Sequence, residues 1–244
     1  MKTENRLTYA IIPSRSGSKR FKNKNIYQLL NYPLFYYSIN FAKKLSFVDK
    51  VIFSTDSNKY IKIAKKYKNL IIHKRQKYSS VDNAMEEDVL NDLNKFIKKK
   101  KLKPPTNLLW LRPTNPLRCL KTFEKAYKIF NKYSDTVMVV HETDGRLFYE
   151  KKNFLKPIKK EFLKRSMVRG QDTTPFLKIF SGEFFKYQKK YKINFLGKKK
   201  RFIIAPKLTK FDIDSKSDIL FLEYLIKKFP NKYKKFLHKK LWTY

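Results

Sequence analysis

Through Val140 the chain alternates short apolar runs, closed by turn residues, with longer segments whose apolar positions recur at helical spacing. Tyr9-Ala10-Ile11-Ile12-Pro13 predicts a buried parallel strand. Pro33 then opens a helix with Leu34, Phe35, Tyr37, Ile39, Phe41, Ala42 and Leu45 on its apolar side. Strands are expected at Val51-Ile52-Phe53, at Leu70-Ile71-Ile72, at Leu108-Leu109-Trp110-Leu111 and over Thr136 to Val140. Between them the spacing predicts helices carrying Tyr60, Ile61, Ile63, Ala64 and Tyr67, then from Asp82 to Lys99, then from Leu120 to Asn131. Repeated βα units of this size imply an α/β fold, a mostly parallel sheet with helices on both faces.

The alternation breaks after His141. Residues 145–175 are irregular, aromatic and basic, and read as a projecting hairpin or lobe. A helix is expected over Gly182 to Tyr191, followed by strands at Phe202-Ile203-Ile204-Ala205 and Lys210-Phe211-Asp212-Ile213-Asp214. Ser215 and Asp218 have the spacing of a capping box and start a helix that runs to Lys227. With no internal repeat and no flexible linker, residues 1–244 read as one domain carrying an inserted lobe at about 145–180.

At 244 residues and 42% apolar composition the chain can bury a large core, which excludes a disordered tail. The net charge of +38 would ordinarily suggest nucleic acid or an anionic surface. Lysine far outnumbers arginine, however, and Asn, Ile, Phe and Tyr are abundant while glycine numbers 5, which is the composition an AT-rich genome produces. The basic residues are also scattered and match no nucleic-acid motif. A basic nucleic-acid or anionic-surface binder is therefore kept only as the reading from another class, and no nucleic-acid partner is expected. Cys119 stands alone, excluding an internal disulfide and a cysteine-rich zinc site. No secretory signal and no membrane-spanning apolar run is visible, so a cytoplasmic protein is expected.

The first strand delivers Ser14-Arg15-Ser16-Gly17-Ser18-Lys19-Arg20-Phe21-Lys22-Asn23-Lys24-Asn25, a loop with a small-residue centre and several cations. Backbone N–H groups near Gly17 suit an anion, and Arg15, Lys19 and Lys24 can neutralise phosphate charge. The glycine positions permit neither a dinucleotide fingerprint nor a Walker loop, and three scattered histidines without a nucleophile elbow give hydrolases little support. On a strand, Asp212 and Asp214 point to one face while Ile213 packs inward, offering two hard oxygen ligands suited to Mg²⁺ beside bound phosphates. In an open α/β sheet, loops at the strands' carboxyl ends share one crevice. The cationic loop, Ser54-Thr55-Asp56, Arg112-Pro113-Thr114-Asn115-Pro116-Leu117-Arg118 and Asp212-Ile213-Asp214 can thus converge.

Together these four segments resemble the acylneuraminate cytidylyltransferase family, the CMP-sialic acid synthetases, which includes the enzymes for pseudaminic and legionaminic acids. The resemblance runs from Ile11 to Leu222. It implies a Rossmann-like nucleotidyltransferase sheet, a homodimer formed through the lobe, and transfer of CMP from CTP to the anomeric hydroxyl of a 2-keto sugar acid. An eight-carbon keto-deoxy acid is the alternative acceptor. By position, Arg15, Ser18, Lys19 and Lys24 resemble triphosphate-binding residues, with Arg15 and Lys24 catalytic. Asn25 and Arg75 resemble contacts of the base pocket, and Asp212 and Asp214 the metal-binding carboxylates. Arg112, Arg169 and Gln171 are the implied acceptor contacts. Four places depart from the family pattern: Arg112 replaces a frequent glutamine, Glu86 stands where a small hydroxyl residue is common, Arg169-Gly170-Gln171-Asp172 resembles Arg-Arg-Gln-Asp with one arginine lost, and Phe180-Ser181-Gly182-Glu183 lies in the region of the usual Asn-Gly-Ala.

Overall fold

The computed structural model describes residues 6–18, 21–163 and 167–237. In chain order the strands are β1 (Thr8–Pro13), β2 (Gln28–Leu29), β3 (Tyr32–Pro33), β4 (Lys50–Thr55), β5 (Ile71–Lys74), β6 (Asn107–Trp110), β7 (Thr136–Thr143), β8 (Phe148–Lys151), β9 (Phe154–Pro157), β10 (Phe176–Lys186) and β11 (Lys200–Ile204). The helices are α1 (Leu34–Lys44), α2 (Asn58–Ala64), α3 (Glu86–Lys99), α4 (Leu120–Tyr133), α5 (Lys216–Lys228) and the short α6 (Pro230–Tyr233). Seven strands form one sheet in the order β11-β7-β10-β6-β1-β4-β5. β1 pairs in parallel with β4 and β6, β4 with β5, and β7 with β11, whereas β10 runs antiparallel to both its neighbours.

The alternation within β1 explains why the sheet is covered twice. Ala10 and Ile12 point into a core with Phe35, Ile39, Phe53, Phe123 and Phe130, supplied by α1, β4 and α4. Tyr9 and Ile11 point the other way, into a core with Leu90, Leu93 and Ile97 of α3. A third cluster joins α5 and α6 to Leu29, Leu34 and Leu117, seating the C-terminal helices beside α1. No helix among the described residues is long and apolar enough to cross a membrane.

Two sequence expectations fail here, and a third shifts. Of the segment expected as a helix over Gly182 to Tyr191, residues 182–186 are the second half of β10 and residues 187–191 are neither helix nor strand. Phe184 enters one core and Phe185 the other, so a strand buried on both faces shows no polar alternation to betray it. A side chain at Gly182 would meet the Phe123 ring at 2.7 Å, and the β10 register slips between Ile179 and Gly182, which lets the strand press onto α4. The 210–214 segment is not a strand either. It carries no strand ladder and is tied by Ile213 N–H to the Thr114 carbonyl at 2.8 Å. α3 starts at Glu86 rather than Asp82, where the Asp88 carboxylate accepts the Met85 N–H at 3.0 Å. Of the expected lobe, β8 and β9 form an antiparallel hairpin.

Candidate active site

The loops that leave β1, β5 and β6 at their carboxyl ends line a single cleft of about 420 Å³. Its walls include Arg15, Ser18, Lys24, Asn25, Arg75 and Arg112, six of the residues singled out from the sequence. Lys19 lies outside the described residues.

The loop after β1 is shaped by its neighbours rather than by glycine. Asp56, just beyond β4, accepts the Ser16 N–H at 2.8 Å and the Ser16 hydroxyl at 2.7 Å. Buried Asn25 donates from Nδ2 to the Arg15 carbonyl at 3.0 Å, closing the loop on itself. The left-handed residue that turns the chain is Asn23, with φ of 57°. A Cβ at Gly17 would meet only ordinary contacts at 3.9 Å.

Each described cation of the cleft has a partner. The Arg15 guanidinium donates to the Val81 carbonyl at 2.9 Å and sits 3.2 Å from Asp82 Oδ1. Lys24 Nζ donates to Asp214 Oδ1 at 2.8 Å, bridging the first loop to the late carboxylate. Arg75 is buried, donates from Nε to the Ser54 hydroxyl at 2.9 Å, and burial pulls its pKa down to about 10 against the attraction of Asp56. The Ser54 hydroxyl also lies 3.0 Å from His73 Nδ1, and His73 Nε2 lies 3.4 Å from Asp92 Oδ2. Burial pushes the Asp92 carboxyl up, but hydrogen bonds involving His73, Ser79 and the Gln76 N–H outweigh it and hold it below its usual range.

The run from Arg112 to Arg118 does structural work that the sequence did not reveal. Asn115, fully buried, donates from Nδ2 to the Thr209 carbonyl at 3.0 Å and the Phe211 carbonyl at 2.8 Å, and its Oδ1 accepts the Ser181 hydroxyl at 2.6 Å. Its amide replaces the missing ladder and fixes the segment carrying Asp212 and Asp214. Arg118 donates to the Ser181 carbonyl at 2.8 Å, the Ser38 hydroxyl at 3.0 Å and the Arg112 carbonyl at 2.6 Å. Complete burial lowers its pKa to about 9. A polar residue between two prolines was the available signal for Asn115; nothing local marked its distant partners.

Ile213 is fully buried between the two carboxylates. Asp214 holds Lys24, while Asp212 Oδ2 lies 3.0 Å from Lys178 Nζ. Two carboxylates that already gather ammonium groups, beside a phosphate-sized cleft, fit a hard cation that completes its shell with phosphate oxygens and water. Among the described residues no cluster of three or more His, Cys, Asp or Glu could hold an ion alone. Nearby, buried His141 stacks on Phe180 at 4.8 Å and finds no hydrogen-bond partner for either nitrogen among the described residues. Burial, with Lys210, Arg118 and Lys178 alongside, lowers its pKa to about 4.

The acceptor-side residues are divided. Arg112 Nη1 donates to Glu183 Oε1 and its Nη2 lies 3.7 Å from Glu86 Oε1, so its charge is already shared between two carboxylates. Arg169 and Gln171 do not line the cleft. Arg169 is exposed and pairs with Asp172 at 2.8 Å, and Gln171 sits in the exposed turn between them. Those side chains belong to the segment that follows the β8–β9 hairpin.

Comparison with known proteins bears on the same region. A family model described as Cytidylyltransferase matches residues 9–99, from β1 to the end of α3. The post-translational flagellin modification protein B of Campylobacter coli is 29% identical over 231 residues, covering 88% of this chain and 93% of that protein. A pseudaminic acid cytidylyltransferase of Campylobacter jejuni is 32% identical over 129 residues, covering 49% of this chain and 51% of the relative, so that alignment spans about half its length. In three dimensions the fold matches a CMP:2-keto-3-deoxy-manno-octonic acid synthetase complexed with CTP, with a TM-score of 0.62, 11% identity, and coverage of 91% of this chain and 99% of that one. The matched family model begins on the strand and cationic loop that open the cleft, so over residues 9–99 the chain is similar to cytidylyltransferases.

Proposed function

We propose that this protein transfers CMP from CTP to the anomeric hydroxyl of a nine-carbon 2-keto sugar acid, releasing pyrophosphate. The observation that carries the reading is the junction of Lys24 with Asp214, which ties the cationic loop on the cleft wall to the late segment that carries the two carboxylates. The similarity of residues 9–99 to the Cytidylyltransferase family model supports a chemical sense for this junction.

In this scheme the triphosphate lies along the loop of residues 14–25. Arg15 faces the α-phosphate and stabilises charge that develops there, and Lys24 steadies the departing pyrophosphate. Asp56 and Asn25 keep that loop in place through the hydrogen bonds they make to it. Asp212 and Asp214 would hold Mg²⁺, which supplies charge neutralisation of phosphate oxygens and a lower pKa for a hydroxyl bound to it. The acceptor hydroxyl attacks the α-phosphorus in line, opposite the leaving oxygen. Arg75 and Asn25 border the end of the cleft assigned to the cytosine.

A homodimer accompanies this reading. Phe148, Tyr149, Phe154 and Leu155 of the β8–β9 hairpin are all exposed, an apolar surface suited to a second copy of the chain. The use of CTP agrees with a cytoplasmic setting. The test is pyrophosphate release from CTP and Mg²⁺ with N-acetylneuraminic, pseudaminic, legionaminic and eight-carbon keto-deoxy acids in turn. Release that depends on a nine-carbon acid is expected; absence of release with every acid, together with no rise in melting temperature on adding CTP, overturns the proposal.

A further inference from the structure

At the end of α3 remote from the nucleotide cleft, the last turns of that helix, the turn that follows it and the segment after β10 enclose a cavity of about 980 Å³. It borders the segment that enters β6, whereas the cleft lies where β6 ends. Six of its twelve lining residues are lysines, Lys95, Lys98, Lys101, Lys103, Lys189 and Lys190, in a chain of which Lys and Arg together make up 58 of 244 residues. No Asp or Glu lines it, and none of the six ammonium groups forms an ion pair among the described residues. Lys95 lies over the Tyr78 ring at 4.7 Å. The cleft is the reverse, since Arg15, Lys24 and Arg112 each face a carboxylate there.

Specific hydrogen bonds gather these lysines. Asn91 Nδ2 donates to the Tyr191 carbonyl at 3.0 Å, and its Oδ1 accepts the Tyr191 N–H at 2.8 Å. One turn on, Asn94 Nδ2 donates to the Gln188 and Lys189 carbonyls at 2.9 and 3.0 Å, which fastens the backbone carrying Lys189 and Lys190 to the helix carrying Lys95 and Lys98. α3 then ends in a cap in which the Leu102 N–H reaches the Ile97 carbonyl at 3.0 Å, with Lys101 left-handed at φ of 52°. That turn returns Lys101 and Lys103 to the same rim. The floor between the lysines is apolar, made by buried Ile97 with Leu102, Pro104 and Tyr187.

Like charges set around low-dielectric walls focus the field, and with no carboxylate on its walls the cavity draws its counterion from outside. The wall chemistry narrows the kind of anion. It offers neither a guanidinium fork nor a helix N-terminus to grip a phosphate at short range, because the helix end here is a C-terminus. Ammonium groups on flexible stems around an apolar floor suit carboxylates spaced along a chain, with a hydrophobic side chain between them. We infer that this cavity is a docking surface for an acidic polypeptide segment of a partner protein, anchored by one or two apolar residues on the floor. The inference goes beyond the transfer reaction, and its test needs neither CTP nor turnover.

The test is fluorescence anisotropy with a labelled peptide of ten glutamates around a central Leu-Phe pair. Wild-type protein is expected to bind it, and to bind the same peptide with Ser-Ser at its centre at least about 10-fold more weakly, the effect of losing buried apolar side chains. Lys98→Glu combined with Lys189→Glu should weaken the Leu-Phe peptide by at least about 10-fold, because two attractions become two repulsions. Lys62→Glu combined with Lys65→Glu, on and just after α2 across the sheet, should change it by less than about 2-fold. All four lysines are exposed, so both variants keep the fold, and both lower the net charge equally. Equal weakening by the two pairs shows diffuse attraction to a basic chain and overturns the inference. Equal binding of the two peptides, or binding of neither, overturns it as well. So does tighter binding of a twelve-nucleotide oligothymidylate or of phosphatidylglycerol vesicles than of the peptide through Lys98 and Lys189, which assigns the cavity to another class of anion.

Discussion

Replacing Asn115 by alanine isolates the link between the fold and the carboxylates. The residue is fully buried and makes three side-chain hydrogen bonds, to the Thr209 and Phe211 carbonyls and from the Ser181 hydroxyl. At about 1 kcal/mol of net stability for each, the loss is about 3 kcal/mol, more if the stranded carbonyls find no water. For a chain of this size about 2–4 °C accompanies each kcal/mol, so the melting temperature should fall by about 6–12 °C. Function should suffer separately, because of the segment's hydrogen bonds to the 112–118 run only the one from the Ile213 N–H to the Thr114 carbonyl remains. Supports of this kind typically account for about 10- to 100-fold in metal affinity, so the Mg²⁺ concentration that half-saturates pyrophosphate release should rise by at least about 10-fold. Both quantities come from one preparation, by thermal unfolding and by an Mg²⁺ titration well below the transition. A melting temperature lowered by less than about 2 °C, or an Mg²⁺ curve that does not move, would refute the claim that Asn115 holds the carboxylate segment.

Other perturbations test the remaining pieces. Arg15→Ala should reduce kcat by about 10²- to 10³-fold, and near-normal turnover would remove it from the α-phosphate. Arg112→Gln leaves the Glu183 carboxylate buried without its cation and should cost about 3–5 kcal/mol in urea unfolding, whereas adding Glu183→Ala should recover most of that loss; a double variant no more stable than the single would show that the pair is not coupled. Asp92, held below its usual pKa, contributes stability that is fully present above its unfolded value of about 3.9 and lost as the pH falls through its folded value. Asp92→Asn should therefore be less stable than wild type at pH 6, with the gap narrowing below about pH 4, and parallel stability curves for the two proteins would contradict this.

Much of the βα frame was legible because it rests on local signals. Pro33 marks the entry to α1, the capping pair Ser215 and Asp218 marks α5, and β1 is an apolar run closed by Pro13. β10 escaped because Phe184 and Phe185 are buried on opposite faces, so the period of two is invisible in hydrophobicity alone. The 210–214 segment has the composition of a strand, but its hydrogen bonds run to a side chain almost a hundred residues earlier, a partner that no local pattern encodes. The cleft residues fared better, since the loop after β1 carries its chemistry contiguously. Glu183 and Glu86 stood out as departures, yet only their meeting at Arg112 explains why they depart together.

The ion pairs of the cleft bear on what the resting protein attracts. Lys24 faces Asp214, Arg15 faces Asp82, Arg112 faces Glu183 and Lys178 faces Asp212, so these four cations are each balanced by a carboxylate although the chain carries +38. Bare phosphate or a polyanion would have to compete with an internal counterion at each of these four cations. In the proposed reaction a nucleoside triphosphate arriving with its divalent metal would offer an exchange instead: phosphate oxygens for the lysine and the arginine, and Asp212 and Asp214 free to hold the metal. On the proposed function, the same ion pairs would make the cleft selective for a ligand carrying both signs of charge at once.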